Sequence, residues 1–139
     1  MGEVLIQSGT GKGKSFYSNM IAGQLSFNKK VFFISDELSS SMIYNRLRGC
    51  NICYNSKNLV ICDSDYAEKK IPDFKKPFAI IIDFVYNMEK LEKSVANVMR
   101  EDLIITGTLN RQNAYYDAGD SNSSLFNCVK DSKKGFVRL

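Results

Sequence analysis

The apolar run Val4-Leu5-Ile6 leads into Ser8-Gly9-Thr10-Gly11-Lys12-Gly13-Lys14-Ser15, and apolar residues at helical spacing follow. Few eight-residue segments constrain a chain more. Glycine at 9, 11 and 13 lets the backbone curl until successive N–H groups point inward, forming a nest for an anion. A helix beginning near Lys14 adds the positive end of its dipole at the same place. Lys14 reaches the β- and γ-phosphates of a nucleoside triphosphate, and the Ser15 hydroxyl is a hard oxygen donor for Mg²⁺. Residues 8–15 therefore read as a nucleotide-binding loop, with ATP and Mg²⁺ as the expected ligands. The pattern Gly-x-x-x-x-Gly-Lys-[Ser/Thr] is met except at its first position, Ser8, where the neighbouring glycines keep the turn flexible.

A loop of this kind needs a strand before it and a helix after it, and the rest of the chain continues that alternation. Strands are predicted over Val4–Gln7, Lys30–Ser35, Leu59–Cys62, Phe78–Phe84 and Leu103–Thr106. Helices are predicted over Lys14–Phe27, with Phe16, Tyr17, Met20, Ile21 and Leu25 near helical spacing, and over Ser39–Leu47, with a serine cap. A third helix is predicted over Met88–Arg100, with Leu91, Val95, Val98 and Met99 on one face. Gly49–Lys57 reads as irregular, Asp63–Lys76 as a charged connection and Gln112–Ser124 as a loop. Leu125–Lys130 and Gly135–Leu139 read as a terminal β-hairpin around Asp131–Lys134. The expected fold class is α/β: one domain over 1–139, with a mostly parallel central sheet flanked by helices and a C-terminal hairpin. Ligands of such sheets bind at the carboxyl ends of the strands. Ser8–Ser15, Asp36-Glu37 and Asp83 fall at such ends.

Asp83 closes Ile80-Ile81-Ile82, and an acid at the end of a buried strand is the usual second half of a phosphate-loop site. It would hold Mg²⁺, directly or through water, against Ser15. The chain has no histidine. That excludes Ser-His and Cys-His nucleophilic sites and histidine-containing metal sites, and leaves a carboxylate as the natural general base. The four cysteines comprise one Cys-x-x-Cys, Cys50 and Cys53, with Cys62 and Cys128 apart. A zinc site would need all four to converge; reduced thiols, with Cys62 and Cys128 as small core residues, suit the spacing better. Net charge is +4, with lysine pairs at 29-30, 69-70, 75-76 and 133-134. Spread along the chain as they are, these pairs suit a solvated surface more than a nucleic-acid surface. No apolar run approaches the ~20 residues of a membrane span. The N-terminus runs straight into a strand, so a cytoplasmic protein without signal peptide or membrane partner is expected.

Further segments carry a resemblance. Phe33-Ile34-Ser35-Asp36-Glu37-Leu38-Ser39, followed by Tyr44-Asn45-Arg46-Leu47, resembles the "FSLEMS…RL" segment of DnaB-type replicative helicases and their RecA-like relatives. Ala79–Phe84 resembles that family's "VIDY" strand, Thr106-Gly107-Thr108-Leu109-Asn110-Arg111 its "SQLNR" segment, and Gly135–Leu139 its "GTVKL" ending. The likeness spans essentially the whole chain in the right order. It implies a minimal RecA-like P-loop ATPase core, of a size that suits a virus or mobile element. It implies that Glu37 polarises the attacking water from a strand beside the phosphate-loop strand, although Asp36, where the family has an apolar residue, is a second carboxylate at that point. It implies that Thr108, Asn110 and Arg111 sense the γ-phosphate and face DNA, with Thr108 in place of the family's glutamine. Tyr115 and Tyr116, in the loop that follows, suit stacking on bases of single-stranded DNA and equally suit a surface loop in which they are incidental. Lys130, Lys133, Lys134 and Arg138 match the segment that lends a cationic finger to the neighbouring subunit of a homo-oligomer such as a hexamer. No segment of these 139 residues resembles the family's N-terminal helical domain, so the expected chain is a core without it.

The function expected is an oligomeric, DNA-dependent ATPase: a helicase, recombinase or packaging-motor core. A small nucleotide or metabolite kinase shares the loop but needs an arginine-bearing lid, and no such lid is visible. A nucleotide-binding regulatory protein with weak hydrolysis is the third reading, kept open by Thr108 and the compressed tail.

Overall fold

The computed structural model describes residues 3–8, 14–74, 76–85, 91, 102–108 and 136–138. The strands are β1 (Glu3–Ser8), β2 (Lys30–Ser35), β3 (Leu59–Cys62), β4 (Phe78–Phe84), β5 (Asp102–Thr108) and β6 (Phe136–Arg138). The helices are α1 (Lys14–Ser26), α2 (Ser40–Gly49) and α3 (Ser64–Lys70), the last running into a 3-10 turn at Ile71–Asp73. The strands form one sheet in the order β3-β2-β4-β5-β1-β6, and every neighbouring pair is parallel.

β2 and β4 are unbroken apolar runs because both their faces are covered. Val31, Phe33, Ala79 and Ile81 pack on one face with Ile21 and Ala22 of α1 and Ile43 and Leu47 of α2. Phe32, Ile34, Phe78, Ile80 and Ile82 pack on the other with Ala67 of α3, Ile71 and Leu91. Phe32, Phe74 and Phe78 meet edge-on there, with ring centroids 5.5–5.7 Å apart. The path of the chain explains the layers. From β1 to β2, and from β2 to β3, it crosses by α1 and α2 on the first face. Returning from β3 to β4 it crosses by α3 on the second, where Leu91 of the β4–β5 connection is also buried. Reversing face when direction reverses is what a single crossover hand requires.

Local signals set the helix ends. The Ser39 hydroxyl caps α2 by accepting from the Met42 N–H at 3.3 Å. α2 ends in a Schellman turn: Ile52 N–H donates to Leu47 C=O at 2.9 Å, Asn51 N–H to Arg48 C=O at 3.1 Å, and Asn51 takes φ 56°. Asp63 caps α3, accepting from Tyr66 N–H at 2.8 Å.

The structure departs from the sequence reading at three points. Asp63–Lys76 is not a plain connection but holds α3 and the 3-10 turn. Its buried contribution is only Ala67 and Ile71, too few to show a period. Phe16, expected on the buried face of α1, is 50 % exposed. The buried face of α1 carries Ile21 and Ala22 together with the polar Ser18, Asn19 and Ser26, and Tyr17 and Leu25 pack against the same core. The last strand, expected in a hairpin, pairs parallel to β1; residues 125–130, the other arm of that hairpin, lie outside the described residues. So does the predicted helix 88–100 apart from Leu91. Among the described residues no helix is long and apolar enough to cross a membrane.

Candidate functional site

Parallel pairing brings all the strand ends to one edge, and the register says how they stand there. Leu5, Ile105, Ile82, Ile34 and Cys62 form one row across β1, β5, β4, β2 and β3. Ser8 lies three residues beyond that row, directly across from Thr108. Asp83 lies one residue beyond it, half-buried, at an irregularity where the β2–β4 register shifts. Arg138 pairs with Gln7, one residue short of Ser8. The nucleotide-loop strand β1 is thus flanked by Thr108 on one side and Arg138 on the other. β1 ends at Ser8 and α1 begins at Lys14, so the loop sequence joins a strand to a helix. Residues 9–13 of the loop lie outside the described residues, as do Asn110, Arg111, Tyr115, Tyr116, Lys130, Lys133 and Lys134.

One expectation is corrected. The strand carrying Glu37 does not lie beside β1; β5 and β4 stand between β1 and β2. At ~4.8 Å per strand step, β2 is ~14 Å from β1 and β4 is ~10 Å. The β1–α1–β2 crossover leaves that gap because the two apolar strands made later, β4 and β5, insert into it.

The pair Asp36-Glu37 divides its labour. The Asp36 carboxylate accepts from the Ser64 N–H and from the Ser64 hydroxyl, both at 2.8 Å. It thereby ties the end of β2 to the first turn of α3. Ser35 is buried, and its hydroxyl accepts from the Leu38 N–H at 3.3 Å. The turn Asp36–Leu38 is therefore held from both sides, with Glu37 exposed at its tip. Sequence reasoning leaves the choice between the two acids open because Ser64, 28 residues on, falls in a segment that reads as a charged connection. The Asp63-Ser64 start of an N-cap was the available signal.

A cleft of about 590 Å³ opens between the carboxyl ends of β2 and β3, lined among others by Asp36, Ser39, Cys62, Asp63 and Tyr66. It lies on the far side of β2 from the nucleotide loop. Cys62 is half-buried there, and Cys50 and Cys53 are exposed at the end of α2; all three are free thiols. Among the described residues no three His, Cys, Asp or Glu side chains gather as a metal site. The Mg²⁺ implied by the loop asks for less, since it keeps most of its waters and takes one or two hard oxygen ligands beside the phosphates. The Asp83 carboxylate and the Ser15 hydroxyl are donors of that kind, on elements that end or begin at the same edge.

No protein-family model matches the chain, and no curated protein matches it either.

Proposed function

We propose that the chain is a RecA/DnaB-like ATPase that works as a homo-oligomer on single-stranded DNA. The observation that carries this reading is the placement of a Gly-Lys-Ser loop between β1 and α1 of an all-parallel sheet, with Asp83 at the same edge. In this reading the loop N–H groups and Lys14 hold the β- and γ-phosphates. Ser15 and Asp83 hold Mg²⁺, which supplies charge neutralisation at the phosphates when bound. Thr108, across from Ser8, ends the strand nearest the γ-phosphate. Glu37 accepts a proton from the attacking water, held forward by the tethered turn that carries it beyond β2. Arg138 belongs to the strand beside its own loop strand, so the finger lent to a neighbour falls to Lys130, Lys133 or Lys134. The two strands that stand between Glu37's strand and β1 favour a site completed by packing against another subunit.

ATP binding and turnover test it. Lys14→Ala is expected to abolish both. Glu37→Gln is expected to keep ATP binding and lower turnover by ~10²-fold or more, as loss of a positioned base does. Asp83→Asn is expected to weaken Mg²⁺-dependent binding itself. Unchanged turnover in Lys14→Ala sinks the reading. Turnover untouched in Glu37→Gln but lost in Asp36→Asn moves the base by one residue.

A further inference from the structure

We propose that the amino-terminal edge of the sheet, opposite the nucleotide loop, binds the sugar-phosphate backbone of single-stranded nucleic acid. Lysines spread along the sequence are gathered there by the topology. Parallel strands all begin at one edge, and the chain places lysine at three of those beginnings: Lys29 and Lys30 at β2, Lys57 before β3 and Lys76 before β4. α3 descends to the same edge and ends in Lys69 and Lys70. Every described lysine other than Lys14 is thus on this edge, where the described acids include Glu3 and Asp102 at the starts of β1 and β5 and Asp73 after α3, while Asp36, Glu37, Asp63, Asp65 and Asp83 are at the other.

The edge is also shaped. A cleft of about 540 Å³ is lined by Lys29, Lys30 and Lys76, by the amides Asn28 and Asn58, and by Phe74 and Pro77. Asp73 is the one carboxylate among its lining residues. Lys30 Nζ donates to the Lys57 C=O at 3.1 Å, which fixes its position and uses one of three ammonium donors. Cations over a floor with a half-buried phenyl ring suit a single strand, whose bases are free to pack against an aromatic. A duplex, with its bases stacked inside, has no use for Phe74.

This surface lies at the edge opposite Ser8 and Lys14, so its test needs no ATPase activity. Binding of a fluorescent oligo-dT to the full chain, without ATP, is measured by anisotropy across a salt series. Wild type is expected to bind with affinity falling steeply as salt rises. Lys29→Gln/Lys69→Gln/Lys76→Gln is expected to lose at least ~10-fold in affinity at low salt. Its log–log salt slope is expected to fall by ~2, at ~0.7 per phosphate contact for a single strand. The matching triple substitution to Arg, with its melting temperature checked, is expected to bind like wild type. Equal affinity and slope in the Gln variant and wild type overturn the proposal. So does an equal loss in the Arg variant, which would mean that charge is not the cause. A Gln variant that changes the sedimentation of the protein but not its DNA binding overturns it in favour of contact with a second copy.

Discussion

Cys62 ends β3 beside two carboxylates, Asp63 and Asp36. Burial first, and then those two negative charges, push its thiol up to about 12. It is held as a neutral thiol, whereas Cys50 and Cys53 are exposed. Two outcomes are expected. At about pH 8 an aromatic disulfide reagent modifies Cys50 and Cys53 well before Cys62, read by mass spectrometry of the digested protein. The folded state also keeps a proton that the unfolded chain releases above the ordinary value of 9.0. Its contribution to stability is therefore complete below about pH 9 and is lost as pH climbs towards about 12. Melting temperatures of wild type and Cys62→Ala should converge over that range; parallel curves would contradict it. At this scale the sequence was half legible. Its reading of Cys62 as a small core residue is close to what is seen, and Asp63 is its neighbour in sequence, but nothing local shows that Asp36 also stands beside the thiol, because it is brought there only through β2–β3 pairing.

Helix α1 shows how an element is shaped by what presses on it. A Cβ at Gly23 would stand 2.5 Å from the Cys53 carbonyl oxygen and 2.8 Å from Ile52 Cγ2. The segment after α2 lies that close because it is clamped to the end of α1. Asn55 N–H donates to the Ser26 hydroxyl at 2.8 Å, and Asn58 Nδ2 donates to the Ser26 C=O at 2.7 Å. Gly49, the last residue of α2, has nothing within 4 Å of the same added atom. The same substitution should then have opposite signs. Gly49→Ala gains helix propensity, up to ~1 kcal/mol. Gly23→Ala gains it too but displaces a backbone carbonyl, and overpacking of that kind costs about 1–3 kcal/mol. Denaturant midpoints of the two variants measure this, and a stabilised Gly23→Ala would show the clamp to be soft. The strands and the first two helices were legible as elements because their signals are local: apolar runs, a serine cap, a glycine loop. α3 was not, since a seven-residue helix burying little beyond Ala67 leaves no period. Phe16 of α1 misled for a related reason: the helix's closest contact with the neighbouring segment is made by glycine and serine.

Across the whole molecule, the order β3-β2-β4-β5-β1-β6 was the part least legible, since which strand lies beside which depends on contacts far apart in sequence. β6 covers β1 with only Phe136, Val137 and Arg138 against Leu5, Ile6 and Gln7. Deleting 136–139 is expected to turn β1 into a bare parallel edge and to raise light scattering at a temperature where the full chain stays clear. A truncated chain as monodisperse as the full one would show the edge to be protected in another way. The same pairing has a consequence during synthesis. β2, β3 and β4 follow one another closely and can pair as they leave the ribosome. β1 emerges before all of these, yet both its neighbours lie far downstream of it: β5 begins at Asp102 and β6 at Phe136. The nucleotide loop therefore has no paired strand to stand on until residues beyond Asp102 have been made. A nascent chain stalled before Asp102 should bind no nucleotide, however well its first half has folded.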